Sequence, residues 1–384
     1  YGYGLGYHVA ELAEMLENGS KLYVFDLNLD LFAESLKYYD FRKMLSDSRI
    51  QLYITDRVGE LSKGLAELFQ RLDTVNLMFH NPSIGSIDEN LGELKEYLME
   101  LNLRNNVSPE YLQLFENNYK KNRGIITRNV GEFFGKFPSV PAILVSAGPS
   151  LDKNVDLLKG LEDRCVIIAV AQALRSLLKA GITPHIMVTI DPQDITYNQI
   201  EGHEQLGIPF FLMATAAPIN AEKYPGPKFM ACQSASYLLP GESGFLVKTG
   251  GSVSTAALDI AIRMGCNPIA YIGQDLAFTD NLHHSRGTHH DSHEMKILSN
   301  MRMVEDVNHH LIPTTLGMIS FRNWITRRVS EEQQHTFVNA TEGGAFIPGL
   351  RHITLKEYIA KYIPAEPARG IQQTIDRIVQ GSDR

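Results

Sequence analysis

Two short turns combine glycine with hydroxyl residues where a strand gives way to a helix. Gly148, Pro149 and Ser150 follow the apolar run ILVSA and precede LDKN. The second turn, before VSTAALDIAIRM, contains Gly250, Gly251 and Ser252. A helix that begins in such a turn directs free backbone N–H groups and the positive end of its dipole at the turn. Phosphate and carboxylate groups bind in that geometry, so the turns predict anion sites. Plain helix capping by a serine is the other interpretation.

Polar side chains follow three further strand-like runs. Gln172 follows CVIIAVA, Asp191 ends IMVTID, and Gln274 and Asp275 follow IAYIG. Because the carboxyl ends of parallel strands meet at one edge of a sheet, we expect these side chains to line one crevice. Gln172 could bind a base or sugar, or cap its own helix. Asp191 could face a ligand or metal, or hold its loop in an Asx turn. Asp275 is placed to orient a hydroxyl or an imidazole.

A Gly-rich loop further along the chain could close over the same crevice. It reads NATEGGA at 339–345 and follows HTFVN, which has the composition of a strand. Thr341 and Glu342 are its candidate ligand contacts, and a purely structural turn is the alternative.

Histidines, the side chains best suited to proton transfer near neutral pH, cluster after the strand that ends at Asp275. One of these imidazoles could be a general base. A metal site is the rival interpretation, although no cysteine or tight carboxylate set accompanies the imidazoles. A polar loop without chemistry is the third. The histidines are His283, His284, His289, His290 and His293, followed by His309 and His310.

The composition restricts the function classes. The 384 residues are 44% hydrophobic and 21% charged, as in soluble globular proteins, with a formal charge of -8. That balance argues against sequence-independent binding to nucleic acid or anionic membranes. No apolar run approaches the roughly 20 residues of a membrane span. The cysteines Cys165, Cys232 and Cys266 are too few and odd in number for a disulfide framework. They predict a cytoplasmic protein with buried, unreactive thiols.

The alternation of predicted strands and helices is that of an α/β protein. We expect two Rossmann-like parallel-sheet units joined by a helical connector and followed by a mostly helical C-terminal region. The predicted boundaries are 1–105, 106–138, 139–315 and 316–384. Apolar runs without alternation, such as IAYI, fit strands buried on both faces of a parallel sheet.

The opening GYGLGYH and the strand that ends at Asp26 have the order of a dinucleotide-binding unit. The chain starts inside this glycine turn, so we expect the preceding strand to be missing. A degenerate unit used for packing or partner contacts is the alternative to ligand binding.

Several motifs together resemble the motility accessory factor family, bacterial proteins associated with flagellin glycosylation. They are GPSLDKN, GITP followed by a strand and IDP, TGGSVSTAALDIAIRMGCNPIAYIGQDLAFTDNLHHSRG, IPTTLGMISFRNWI and VNATEGGAFIPG. The opening GYGLGYH is similar to the family's N-terminal domain, and the resemblance covers nearly the whole chain. The central unit also resembles bacterial sialyltransferases with one Rossmann-like domain and archaeal 6-hydroxymethylpterin diphosphokinases.

The resemblance implies transfer of a nonulosonic acid, of pseudaminic or legionaminic type, from its CMP-activated form to Ser or Thr of flagellin. It places the 148–150 turn on the CMP phosphate and the 250–252 turn on the nucleotide side. Gln172 stands where the sialyltransferases have a donor-contacting Asn. Asp275 matches the acid of their GxDF segment. His284 stands where the family usually has a His, which makes Asp275 and His284 the candidate catalytic pair.

This chemistry requires no metal, because the donor carries one phosphate rather than a pyrophosphate. A pterin diphosphokinase that uses ATP and Mg²⁺ is the runner-up, with Asp191 and Asp275 as candidate ligands. A flagellin-binding chaperone without catalysis is the third alternative.

Overall fold

The computed structural model describes residues 1–17, 19–57, 59–61, 76–92, 94–95, 98–99, 102, 109–279, 301–366 and 370–381. The chain forms two compact units, Tyr1–Ser108 and Pro109–Arg384. Each unit contains parallel strands flanked by helices, so the predicted α/β class is confirmed. Within the described ranges, none of the helices combines the length and hydropathy that a bilayer crossing requires.

The first unit is built on two parallel strands, β1 (Leu22–Asp26) and β2 (Ile50–Ile54). Val9 and Ala13 lie four residues apart on one face of the first helix and pack with Val24 of β1. The helices are α1 (Tyr7–Met15), α2 (Leu29–Tyr38), α3 (Arg42–Leu45) and α4 (Asn81–Gly85), with a 3₁₀ turn at Glu89–Leu91.

The second unit contains an eight-stranded parallel sheet with the order β12-β11-β8-β3-β4-β5-β6-β7. Every residue of β4 is buried, because helices cover both faces of the sheet. The strands are β3 (Ala142–Val145), β4 (Val166–Val170), β5 (Ile186–Thr189), β6 (Phe210–Met213), β7 (Lys228–Ala231), β8 (Ile269–Ile272), β11 (Phe337–Asn339) and β12 (Arg351–His352). A separate antiparallel hairpin pairs β9 (Arg302–Glu305) with β10 (Leu311–Thr314).

The helices of this unit connect the strands or cover the sheet. They are α5 (Pro109–Ile125), α6 (Leu151–Asn154), α7 (Leu174–Lys179), α8 (Pro218–Lys223), α9 (Val253–Met264), α10 (Leu316–Ser330), α11 (Leu355–Tyr362) and α12 (Ile371–Gln380). Short 3₁₀ turns lie at Val130–Phe133, Val155–Leu158, Ala171–Ala173, Asp194–Gln199, Glu204–Leu206, Ala235–Tyr237 and Ser243–Phe245.

The second unit contains most of the predicted connector together with the predicted central and C-terminal segments, which the sequence analysis had treated as separate. Helix α5, predicted as part of a connector, packs against α8 within this unit. The C-terminal region is mostly helical, but it also adds β11 and β12 to the same sheet.

The strand order reverses between β3 and β8. The chain adds β4 to β7 on one side of β3 and then returns to add β8 on the other side. In open parallel sheets, ligands bind at the carboxyl ends of the strands that flank such a reversal. Helix α5 closes a different part of that edge, since the Asn122 amide donates to the carbonyls of Ala214 (3.1 Å) and Ala216 (2.7 Å).

Candidate functional site

The 148–150 turn lies at the reversal, but the protein itself occupies its hydrogen-bond donors. Ser150 donates through Oγ to Asp275 Oδ2 (2.7 Å) and through its N–H to Oδ1 (3.3 Å). The N–H of Gly148 donates to the carbonyl of Gly273 (2.8 Å), and Pro149 has no N–H. Helix α6, which follows, has only four residues. The prediction that this turn donates to a phosphate is therefore not supported; the turn can form the floor of a site.

Asp275 joins three segments of the site. Its side chain is only 3% exposed and accepts from Ser150 and from the Thr279 hydroxyl. Its main-chain carbonyl accepts from the N–H of Ala345 (2.7 Å). Burial raises the pKa of Asp275, and the hydrogen bonds from Thr279 and Ser150 oppose that shift only in part. Asp275 holds the 148–150 turn, the end of β8 and the 341–345 loop together, which makes it a positioning residue rather than the catalytic residue predicted.

The raised pKa of Asp275 predicts a specific pH dependence of stability. Because the fold favours the neutral carboxyl, this group stabilises the protein below its ordinary pKa of 3.8, and that contribution is lost as the pH rises through the folded-state pKa. Wild type should lose stability relative to Asp275→Asn as the pH rises above the ordinary carboxyl pKa of 3.8. Urea unfolding followed by the fluorescence of Trp324, the only tryptophan, reports on this unit. A difference that stays constant with pH would contradict the expectation, and Asp156→Asn, at an exposed position, is the control.

Gln274 and the 341–345 loop also serve the fold. Ser146 Oγ donates to Gln274 Oε1 (2.6 Å), and the N–H of Gln274 donates to Thr341 Oγ1 (3.1 Å). Thr341 is buried, whereas Glu342 is partly exposed and its main-chain carbonyl accepts from Lys153 Nζ (3.3 Å). The loop is thus fixed to the end of β8 as a structural turn, and Glu342 is its remaining candidate for ligand contact.

Gln172 differs from these residues because its side chain has no hydrogen-bond partner among the residues that the structure describes. It lies in the 3₁₀ turn directly after β4, and both its Oε1 and its Nε2 are buried without a hydrogen bond. An unsatisfied buried polar group destabilises a protein by about 1–3 kcal/mol, so native structures rarely retain one without a reason. A ligand that offers one donor and one acceptor would satisfy both atoms. Among the predicted contacts, Gln172 has the strongest structural support.

Asp191 holds its loop in an Asx turn, which was the alternative to contact with a ligand or metal. Its Oδ1 accepts from the N–H of Gln193 (3.0 Å), which forms the Asx turn, and its main-chain carbonyl accepts from the N–H of Ala217 (2.8 Å). Across the described ranges, no three His, Cys, Asp or Glu side chains come together as a metal site would require. Asp191 therefore has a structural role at the end of β5.

The turn before α9 is built by its own hydroxyls. Ser252 and Thr255 form a reciprocal capping box, so the capping interpretation of Ser252 is confirmed. The N–H of Gly250 donates to Thr255 Oγ1 (3.0 Å), and the N–H of Gly251 donates to Thr249 Oγ1 (3.1 Å). The amides of the two glycines are therefore used to shape the turn.

The backbone N–H groups of this helix that have no acceptor within it belong to the next two residues. Helix geometry leaves the first N–H groups, those of Val253 and Ser254, without internal acceptors. Helix α9 packs across β3, β4 and β5, and Tyr271 Oη of β8 donates to the carbonyl of Ser254 (3.0 Å). These contacts place the helix N-terminus at the carboxyl edge, near the strand reversal. The sequence analysis missed Val253 as an amide donor, although the Ser-x-x-Thr pattern of the capping box identifies it.

Comparison with known proteins gives two findings. Residues 113–281 match the family model described as 6-hydroxymethylpterin diphosphokinase MptE-like. The structure of a MAf glycosyltransferase from Magnetospirillum magneticum AMB-1 superposes with a TM-score of 0.60 at 16% sequence identity. That match covers 99% of this chain, which spans only 60% of the length of the other protein. A search of curated proteins gave no match.

Residues 113–281 are therefore similar to the MptE-like family, and the chain shares the fold of the MAf glycosyltransferase. The resemblance predicted from the motifs is thereby confirmed at the level of the domain and the fold. The matched segment includes the 148–150 turn, Gln172, Asp191, the start of α9 and Asp275, whereas the 341–345 loop lies beyond it.

The candidate base His284 lies outside the described residues, as do His283, His289, His290 and His293, so its role stays a prediction. The two later histidines lie on the β9–β10 hairpin. His309 Nδ1 lies 3.2 Å from Glu305, and His310 lies 3.6 Å from Asp306; both imidazoles are exposed. Neither has a hydrogen bond to a described residue of the site.

The glycine turn of the first unit is packed rather than open to a dinucleotide. Asp26 Oδ2 accepts from the N–H groups of Tyr3 (2.6 Å) and Gly4 (3.3 Å), and Oδ1 accepts from that of Asn28 (2.9 Å). A pyrophosphate would use these amides. Asp26 therefore binds the turn itself and does not bind a ribose. A neighbouring cavity of 440 Å³ is lined by Asp26, Asp30, Asp56 and Asp88, whose charge disfavours a phosphate.

The cysteines are buried, as predicted. Burial raises the pKa of Cys165 to about 12 and that of Cys232 to about 11. Thiols with such pKa values are poor nucleophiles near neutral pH.

Proposed function

We propose that this protein is a glycosyltransferase that moves a nonulosonic acid of pseudaminic or legionaminic type from its CMP-activated form to Ser or Thr of flagellin. Two features at the carboxyl edge of the sheet carry the proposal: the Gln172 amide, which has no partner among the described residues, and the N-terminus of α9, a helix that packs across β3, β4 and β5. The Maf fold and the MptE-like domain support it. The donor, the acceptor protein and the residues that bind them belong to the proposal.

The reaction requires three contributions from the chain. The N–H groups of Val253 and Ser254 stabilise the departing phosphate, because they direct the positive end of the helix dipole at it. Gln172 hydrogen-bonds the base or sugar of the donor. His284 accepts the proton of the acceptor hydroxyl as that oxygen attacks the sugar. The bond between the sugar and the CMP phosphate breaks through an oxocarbenium-like transition state, and CMP leaves.

The diphosphokinase alternative has less support from the same site. It requires carboxylates available to Mg²⁺ beside the phosphates of ATP. Asp191 is engaged in its Asx turn, and Asp275 is buried with Ser150 and Thr279 as donors. Both carboxylates that were predicted to bind Mg²⁺ are therefore already engaged in hydrogen bonds within the protein.

Donor binding tests the proposal directly. A ligand that binds only the folded state raises the melting temperature, so we expect CMP and CMP-N-acetylneuraminic acid to raise that of wild type. Gln172→Leu should weaken their binding about tenfold, the effect of one or two lost hydrogen bonds. Its stability without ligand should equal or exceed that of wild type, because the amide has no partner to lose.

Gln372→Ala, at an exposed position on α12, is the matched control and should bind like wild type. A melting temperature that rises with ATP and Mg²⁺ but not with the CMP ligands would contradict the proposal in favour of the diphosphokinase.

A further inference from the structure

A groove of 400 Å³ lies on the outer edge of the large sheet, in a part of the molecule that the proposed reaction does not use. It runs between β12 and α11, and we call it the β12–α11 groove. Its lining residues are Arg351, Ile353, Glu357, Ala360, Lys361 and Tyr362. β12 is the last strand of the sheet on this side, so no further strand of the sheet covers the groove.

Two cations converge on one phenol in this groove. Arg351 Nη1 donates to the hydroxyl of Tyr362 (2.9 Å), and Lys361 Nζ lies 5.2 Å from the centre of the same ring. Burial opposes ionisation of the Tyr362 hydroxyl, but Arg351 and Lys361 hold its pKa below the usual value. Within the described part of the chain, neither cation forms an ion pair with a carboxylate.

Among the described residues, the one acid in the groove forms no ion pair with these cations. Glu357 Oε2 accepts from the N–H (2.8 Å) and the hydroxyl (2.9 Å) of Thr354, as the partner of the α11 capping box. Its carboxylate is therefore directed at the start of the helix. Ile353 and Ala360 provide an apolar surface between this end of the groove and the cations.

The magnitude of each interaction limits the kind of ligand. An exposed ion pair contributes only about 0.2–1 kcal/mol, so two such pairs cannot retain a small free anion at ordinary concentrations. A peptide can place successive carboxylates on the two cations and an apolar side chain against Ile353. The free energies of these contacts then add together. The local positive charge, on a protein whose net charge is -8, selects for an acidic segment.

We propose that the β12–α11 groove is a docking site for an acidic, partly apolar peptide segment of a partner protein. Arg351 and Lys361 pair with its carboxylates, Tyr362 donates to or stacks on the segment, and Ile353 and Ala360 cover its apolar side chain. This role is separate from the proposed transfer reaction, and it does not depend on the identity of the donor.

Fluorescence anisotropy with a labelled peptide of alternating Glu and Leu tests the proposal on the full chain. We expect saturable binding that weakens as salt rises from about 0.05 M to about 0.3 M, since both cations are exposed to screening. Lys361→Glu should weaken binding at least about fivefold, and Arg351→Glu combined with Lys361→Glu more than about tenfold. Lys356→Glu makes the same charge change on the same helix outside the groove and should have little effect.

A charge exchange makes the test specific. The double charge-reversal variant should bind a peptide of alternating Lys and Leu more tightly than wild type does, which a variant that has merely unfolded cannot do. Equal weakening by Lys361→Glu and Lys356→Glu would overturn the proposal, because it would indicate only a general charge effect. The proposal would also be overturned if the groove variants lost binding to phosphatidylglycerol vesicles and wild type did not bind the acidic peptide. The partner would then be a membrane.

Discussion

His284→Ala is expected to abolish the proposed transfer of sugar to flagellin while leaving the binding of CMP unchanged. A general base contributes about 10²–10⁴-fold to a rate, so the remaining activity should fall below ordinary detection. Donor binding is retained, because the proposed contacts to CMP come from Gln172 and the start of α9. The measurement is the mass of flagellin after incubation with the variant and a CMP-activated nonulosonic acid, compared with the melting-temperature shift that CMP produces.

His309→Ala is the matched control for this experiment. It removes an exposed imidazole of the β9–β10 hairpin, which lies near Glu305 and has no hydrogen bond to the described part of the site. We expect wild-type activity from it. Full modification of flagellin by His284→Ala would remove this residue from the mechanism and leave the proposed reaction without its base. Loss of both activity and CMP binding would instead assign His284 to the donor site.

The central strands of the large sheet could be predicted from the sequence because they are buried on both faces, whereas the short edge strand β12 is partly exposed and could not. Runs such as Val166–Val170 and Ile269–Ile272 contain no alternation, and a continuous apolar segment of this length between turns fits a central parallel strand. Their carboxyl ends could also be located, since each of these runs is followed within two residues by a polar side chain, Gln172 or Gln274. The shared crevice at the β3–β8 reversal follows from the parallel arrangement.

The hydrogen bonds inside that crevice could not be predicted. Ser150 and Asp275 are 125 residues apart, and only the return of the chain beside β3 brings them together. A serine after a glycine turn has the same local sequence whether its hydroxyl donates to a phosphate or to a distant buried carboxylate. The capping role of Ser252 is different, since its partner Thr255 is only three residues away and both belong to a recognisable pattern.

Gly148→Ala is expected to have the largest effect on stability of the substitutions at this site. An added Cβ would lie 1.9 Å from Asp275 Oδ2 and 2.5 Å from the carbonyl oxygen of Gly273. Neither atom can move freely, because the carboxylate is held by Ser150 and Thr279 and the carbonyl accepts from Gly148 itself. Overpacking of this kind destabilises a protein by about 1–3 kcal/mol, and we expect the upper end of that range. Urea unfolding followed by Trp324 fluorescence measures the loss.

Gly124→Ala provides the matched comparison on α5, where an added Cβ meets no atom within 4 Å. Alanine is the better helix former, so that variant should gain up to about 1 kcal/mol. If Gly148→Ala were as stable as wild type, the close contact between the 148–150 turn and Asp275 would be wrong, and the turn amides would be available to a phosphate after all. Destabilisation together with weaker CMP binding in the folded variant is the expected pair of results, because the turn that Asp275 positions forms the floor of the proposed donor site.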